Sequence, residues 1–120
     1  MLSARNRLKK NYQFGYIYRK GKAASARNLT LLFTPVRGNG VKVGFSVSNK
    51  VGKAIVRNKV RRRLRECTRA LLSRVKPGCQ CVINARPGIV EESFEEVRRD
   101  VEYVFRKAGL LTNEQLTINN

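Results

Sequence analysis

Val41-Lys42-Val43-Gly44-Phe45-Ser46-Val47-Ser48, then Asn49-Lys50-Val51-Gly52-Lys53, then Arg57-Asn58-Lys59-Val60-Arg61-Arg62-Arg63-Leu64-Arg65: within these runs the apolar period changes from that of a strand to that of a helix. In the first run Val41, Val43, Phe45 and Val47 fall on one face and Lys42, Gly44, Ser46 and Ser48 on the other, the pattern of a strand half in a core. The small, polar second face suits close approach by another backbone. The loop delivers the chain into a helix over about Ala54 to Val75, stopped by Pro77-Gly78. Cys79 to Arg86 reads as a further strand, closed by Pro87-Gly88. Strand, helix and strand at this length predict a βαβ crossover with two parallel strands.

The helix has two sides. At about 100° per residue, Val56, Val60, Leu64, Cys67, Leu71 and Val75 gather into one stripe, the spacing of a core-facing side. Asn58, Arg62, Arg65 and Arg69 fall opposite it. The nine residues from Arg57 to Arg65 hold six cations and no anion. Solvated faces ordinarily mix signs, whereas here only Glu66 interrupts, so the ridge is expected to meet a polyanion.

Outward from this core, Leu29 to Thr34 is strand-like and ends at Pro35, and Arg37-Gly38-Asn39-Gly40 is a turn signal, which predicts a hairpin with the strand from Val41. Residues 22–28 read as a short extended piece. Asn11 is the expected N-cap of a helix from Tyr12 to Lys20, stopped by Gly21, with Phe14 and Tyr18 one turn apart. Residues 1–10 read as a basic arm. The last helix, about Ser93 to Ala108, opens with a Ser93/Glu96 capping box and stops at Gly109. Its apolar side is Phe94, Val97, Val101, Val104 and Phe105. Residues 110–120 read as a polar tail. Nothing divides residues 1–120 into more than one domain.

Composition narrows the function. The 120 residues carry a formal net charge of +18, and self-repulsion on that scale makes a lasting anionic partner the economical explanation. No apolar run approaches the roughly 20 residues that span a bilayer, and the basic N-terminus lacks the apolar core of a secretory signal. A nucleic acid is therefore favoured over a membrane, and a cytoplasmic location is the expectation. Cys67, Cys79 and Cys81 are read as core residues, not as metal ligands: the chain has no histidine and no Cys-x-x-Cys pair. Six of the eight carboxylates, Glu91, Glu92, Glu95, Glu96, Asp100 and Glu102, lie off the apolar side of the last helix. The first turn of a helix favours carboxylates without any catalytic role. With no convergent acids, no histidine and no P-loop spacing, no catalytic residue is assigned. Tyr12, Phe14, Tyr16 and Tyr18 are interleaved with Lys9, Lys10, Arg19 and Lys20, a mixture that suits single-stranded nucleic acid, whose bases stack on rings. Part of that face must also be core.

At Arg57-Asn58-Lys59-Val60-Arg61-Arg62-Arg63-Leu64-Arg65 the chain resembles the protein subunit of bacterial ribonuclease P, whose recognisable motif is an Arg-Asn-Arg-x-Lys-Arg-x-x-Arg helix. Asn6-Arg7-Leu8-Lys9-Lys10-Asn11 with Phe14, Val43-Gly44-Phe45-Ser46-Val47-Ser48 with Lys50-Val51-Gly52, and Val82-Ile83-Asn84-Ala85-Arg86-Pro87 resemble three further family segments, in consistent order over about residues 5 to 107.

The resemblance implies an α/β fold: an α+β two-layer sandwich like the second domain of ribosomal protein S5, with about four strands in a mixed, mostly antiparallel sheet packed on helices. It also implies a left-handed crossover, against the usual rule. The implied partner is the catalytic ribonuclease P RNA, with an implied stoichiometry of one protein per RNA, precursor tRNA as substrate and magnesium bound mainly by the RNA. The protein would be the non-catalytic subunit. The RNA subunit would be met by Arg57, Asn58, Arg62 and Arg65 with Arg61 nearby; Lys53 and Lys59 of the same basic stretch and Arg69 from the helical wheel complete that set. The single-stranded 5′ leader would run between the first helix and the sheet, along Phe14, Tyr18, Lys42, Ser46 and Ser48. Two departures from the family pattern stand out. Lys59 often has arginine as its counterpart and so lacks a bidentate fork, and Leu32 stands where some relatives place an aromatic. An rRNA-binding ribosomal protein and a DNA-compacting protein are the rival readings of the charge.

Overall fold

The computed structural model describes residues 2–112. Helix α1 spans Asn11–Lys20, strands β1 and β2 span Lys22–Ser25 and Leu29–Pro35, and β3 spans Val41–Val47. Helix α2 spans Ala54–Leu71, β4 Cys79–Ala85 and α3 Phe94–Lys107. The α1 cap lies one residue earlier than the sequence suggests: Lys10 is the N-cap, and its backbone N–H donates to Gln13 Oε1 at 3.2 Å. Its stop is Gly21, where a Cβ would sit 2.5 Å from the Ile17 carbonyl oxygen. Helix α2 is shorter than its apolar stripe, giving way to a 3-10 turn over Leu72–Arg74 before Val75. The capping box of α3 forms as expected: Glu96 N–H donates to Ser93 Oγ at 3.1 Å and Ser93 N–H to Glu96 Oε1 at 2.8 Å.

The four strands are ordered β1-β2-β4-β3. β1 with β2, and β2 with β4, are antiparallel, whereas β3 with β4 is parallel, so β3–α2–β4 is the expected parallel crossover. The expected hairpin between β2 and β3 does not form, because β4 lies between them. Its turn residues serve another purpose. Val36 N–H donates to the Gly78 carbonyl, and Gly78 and Cys79 N–H both donate to the Gly40 carbonyl, so residues 36–40 bridge the start of β4. Backbone groups that a hairpin would have paired are satisfied by the strand inserted between.

Each face of the sheet has its own cluster. Leu29 and Leu31 of β2, Val41, Val43 and Val47 of β3, and Cys79, Cys81 and Ile83 of β4 pack with the buried stripes of α2 and α3. The opposite face carries Val82 with Leu8 and Ile17, and Phe14 and Leu32 pack against them. The helices therefore flank the sheet, α1 on one face and α2 and α3 on the other. Within the α2 stripe Val60, Leu64, Cys67, Leu71 and Val75 are buried, but Val56 stays 36% exposed, and on α3 Phe94 is 42% exposed. Both lie in the first turn of their helix. Thr68, which the wheel left off the stripe, is fully buried. All three cysteines are free and buried.

The arm is docked. Leu8 N–H donates to the Val43 carbonyl, Asn6 Nδ2 to the Val41 carbonyl at 2.9 Å, and Arg7 pairs with Val43 as an isolated parallel bridge. Residues 6–8 thus cover the outer edge of β3, which would otherwise present unpaired backbone. The expected tail is also partly structured: Leu111 is buried and bridges Val75. Residues 113–120 of that tail lie outside the described residues.

Candidate nucleic-acid interface

Helix α2 presents its cations in three bands, because the buried stripe fixes its rotation. Arg57, Arg61 and Arg65, each four residues apart, are half-buried along one flank. Arg57 donates to Asn49 Oδ1 at 2.7 Å and to the Gly52 carbonyl at 3.2 Å, tying the helix to the loop after β3. Arg61 donates to Asn58 Oδ1 at 2.7 Å, so the amide in the ridge holds a neighbouring guanidinium. Asn58, Arg62 and Arg69 are exposed on the crest. Lys59 and Arg63 occupy the other flank, towards Ile89 and Val90.

The electrostatics are one-sided. Lys53, Lys59, Arg62, Arg63 and Arg65 have no hydrogen bond or ion pair among the described residues. Arg69 is different: it pairs with Glu66 at 3.0 Å, and that guanidinium holds the Glu66 carboxyl below its ordinary range. The first turn of α2 contains no acid, its N-cap is Lys53, and no side chain caps its free N–H groups. The positive end of the helix dipole therefore adds to the cations, with no first-turn carboxylate to offset it. The acids of α3 sit elsewhere, several in local pairs such as Arg98–Glu95 at 2.6 Å and Arg106–Glu102 at 2.6 Å.

The α1 face of the sheet holds the second part. Gly44 of β3 lies under Phe14 and Leu8; a Cβ there would be 2.5 Å from Phe14 Cζ. The strand's small face therefore admits a ring and not a backbone. Beyond Phe14 the sheet is less covered. Strand register places Ser25 opposite Thr30, Thr30 opposite Asn84, and Asn84 opposite Ser46, a polar row crossing all four strands. Tyr18, 47% exposed, donates from its hydroxyl to Asn84 Oδ1 at 3.0 Å. Arg86 bonds Thr30 Oγ1 and donates to the carbonyls of Ala26 at 2.8 Å and Arg27 at 3.1 Å, fixing the turn between β1 and β2.

Of the residues named from sequence, Phe14, Tyr18 and Ser46 share this surface. Lys42 sits at its far end, donating to the Arg5 carbonyl at 3.2 Å in a basic hollow with Arg7, Lys9 and Lys10. Ser48 is exposed at the other end, where the chain turns through Asn49 towards Arg57. Thr30, Asn84 and Arg86 were not nominated. Their signal was an Asn and a Thr interrupting apolar strands, but only the register aligns them.

Fold and surface together define a small α+β protein with an unneutralised cationic helix beside an aromatic-lined, partly open sheet face. The Ribonuclease P family model matches residues 2–109. The ribonuclease P protein component of Symbiobacterium thermophilum is 38% identical over 109 residues, covering 90% of this chain and 95% of that protein. The structure of Staphylococcus aureus RNase P protein aligns with a TM-score of 0.83 at 27% identity, covering 89% of this chain and 98% of that one. RNase P protein from Thermotoga maritima aligns with a TM-score of 0.77 at 28% identity, covering 85% and 97%. The chain belongs to the ribonuclease P protein family, and its mixed four-stranded sheet with flanking helices is the fold of those structures.

The described residues include no group of three or more His, Cys, Asp or Glu side chains placed to hold a metal ion. Among the described residues the protein therefore offers no metal cage of its own. No helix among them is long and apolar enough to cross a membrane.

Proposed function

We propose that this chain is the non-catalytic subunit of a cytoplasmic ribonuclease P, binding the catalytic RNA by α2 and the 5′ leader of precursor tRNA by the α1 face of the sheet. One protein would serve one RNA. The RNA would carry the chemistry and hold the magnesium. Arg62 and Arg65 would contact RNA phosphates directly, with Lys53, Lys59 and Asn58 around them, while Arg57 and Arg61 are pre-oriented by Asn49 and Asn58. Arg69 would contribute less, because Glu66 already pairs it. The leader would cross the polar row beside Tyr18 and Phe14, its bases stacking on the rings, with Lys42, Ser46 and Ser48 offering a cation and two hydroxyls to its backbone.

The observation that carries this reading is the run of α2 cations without partners, next to a sheet face whose aromatic and polar groups lie open. Unpaired charge held rigidly on a packed helix is preorganised for phosphate, and each neutralised phosphate releases counterions. The test is to add the full chain to a bacterial ribonuclease P RNA at low magnesium and follow cleavage of a precursor tRNA. Cleavage should rise with added chain, and the chain alone should cleave nothing. No stimulation at any ratio of protein to RNA would overturn the proposal.

A further inference from the structure

On the flank of α2 away from Arg57 and Arg61, the helix and the 3-10 turn over Pro87–Glu91 enclose an apolar groove of about 350 Å3. Its walls are Ile55 and Val56 on one side and Ile89 and Val90 on the other, and Val97 of α3 lies at its base. Ile55 is 84% exposed, Val90 45% and Val56 36%, and these are the three large aliphatic side chains that stay exposed among the described residues. Scattered apolar residues on a surface need no explanation, but here all three converge on one concavity. Lys59 and Arg63 line the same groove, neither with a hydrogen bond or ion pair among the described residues. No acid lines it.

We infer that this groove takes a single unpaired nucleotide of the RNA that lies on α2, its base between the aliphatic walls and its phosphate at Lys59 and Arg63. The inference rests on the proposal that α2 meets RNA, and adds a base contact to what is otherwise a set of phosphate contacts. The lining calls for a ligand with a flat apolar body and an adjacent negative charge, and a nucleotide has both. A second copy of this chain is disfavoured by the mutual repulsion of two molecules at +18 each. The volume is that of a small-ligand pocket and not of a long helix-binding trough. Lys59 and Arg63 lie one turn apart, and the crest residue Arg62 is next to Arg63 in the chain, so a strand held on the crest passes the mouth of the groove. The base would be held by burial and by exclusion of water from the aliphatic walls, without reading of its edges, so any of the four bases would be accepted.

The experiment compares four full-length variants, Ile55→Ser, Val90→Thr, Lys59→Ala and Arg62→Ala, for binding to a bacterial ribonuclease P RNA across a salt series. Ile55 and Val90 are exposed, so both groove variants should fold. Each should lose about fivefold to tenfold in affinity through lost apolar contact. The dependence of affinity on salt should stay as in the unsubstituted chain, because no phosphate contact is lost. Lys59→Ala and Arg62→Ala should instead flatten the salt dependence by about one counterion each. Groove variants that bind within twofold of the unsubstituted chain while Arg62→Ala weakens would overturn the groove as a nucleotide site and leave the ridge standing. A loss in the groove variants accompanied by a flatter salt dependence would also overturn base insertion. All four variants binding normally would overturn the groove and take Lys59 and Arg62 out of the RNA interface as well.

Discussion

The Tyr18 hydroxyl donates to Asn84 Oδ1 at 3.0 Å, a bond across 66 positions of sequence that links the exposed side of α1 to the central strand. The ring stands at the boundary between the part of the sheet that α1 covers and the polar row it leaves open. Ring and hydroxyl are separable. Tyr18→Phe removes one partly exposed hydrogen bond, whose net worth is about 1 kcal/mol or less, whereas Tyr18→Ala removes a stacking surface worth about 1–3 kcal/mol per base. Affinity of the assembled holoenzyme for precursor tRNA should therefore fall clearly more for Ala than for Phe. Equal losses would mean that the bond to Asn84, and not the ring, is what matters.

Phe14 rests on Gly44, and the pair works as a unit. Phe14→Ala should weaken binding of leader-bearing precursor tRNA by about 1–3 kcal/mol, and mature tRNA much less. Gly44→Val should give the same selectivity without touching the ring, since its Cβ would fall 2.5 Å from Phe14 Cζ and displace it. Competition assays with the two tRNAs check both; a loss shared equally by precursor and mature tRNA would remove Phe14 from the leader path.

Arg62 and Arg57 should differ in kind. Arg62→Ala, and Arg65→Ala beside it, should weaken binding to the RNA subunit by about 1–3 kcal/mol, the range of a charge-assisted contact, with the melting temperature unchanged. Arg57→Ala should lower the melting temperature as well, because it releases Asn49 Oδ1 and the Gly52 carbonyl. Thermal melts alongside RNA titrations separate the two effects.

Thr68 is fully buried in α2, and its hydroxyl oxygen has no hydrogen-bond partner. Replacing such a group by a methyl removes a desolvation penalty at nearly constant volume, so Thr68→Val should stabilise the fold by about 1 kcal/mol. Chemical denaturation gives the sign directly. A destabilised Val variant would show that the hydroxyl is satisfied in solution.

Burial pushes the Cys67 thiol up to about 11 from an ordinary 9.0. The folded core accepts the protonated thiol and resists the thiolate, so the stability this gives is fully present below pH 9.0 and is lost as pH rises towards about 11. Cys67→Ala should therefore cost stability at neutral pH through a cavity, and the cost should shrink across that alkaline interval. Melting both proteins from neutral to alkaline pH checks the trend; a constant difference would exclude it. In the folded state below pH 9.0, thiol reagents should label neither Cys67 nor Cys81 quickly, since both thiols are buried and held up.

Local pattern carried most of the elements and little of their arrangement. The alternation of Val41 to Val47, the stripe from Val60 to Leu71 and the Ser93/Glu96 box are written in residues a few positions apart, and each forms. The partner of β3 is not local. Gly38-Asn39-Gly40 has hairpin chemistry, yet nothing in it tells whether the returning strand pairs with β2 or leaves room for another. A subtler signal was present. Cys81, Val82 and Ile83 are all fully buried, as in a strand covered on both faces, whereas β3 alternates as an outer strand does. The same distinction explains the site. The charge of α2 could be counted from sequence, but its division into bands depended on which flank meets the loop at Asn49 and which meets Ile89 and Val90. The polar row from Ser25 to Ser46 needed all three strand registers at once.

The central place of β4 bears on the order in which the chain can be built. β3 finds its strand partner, and β2 its second one, only in residues 79–85, so most of the sheet cannot close until the ribosome has entered the last third of the sequence. Until then the cationic α2 is already synthesised, with one side of its core stripe still uncovered, in a cell rich in RNA. Sheets that depend on such distant pairings form slowly, and domains tend to fold as units once complete. During that interval the chain's own charge is what keeps nascent copies apart from one another.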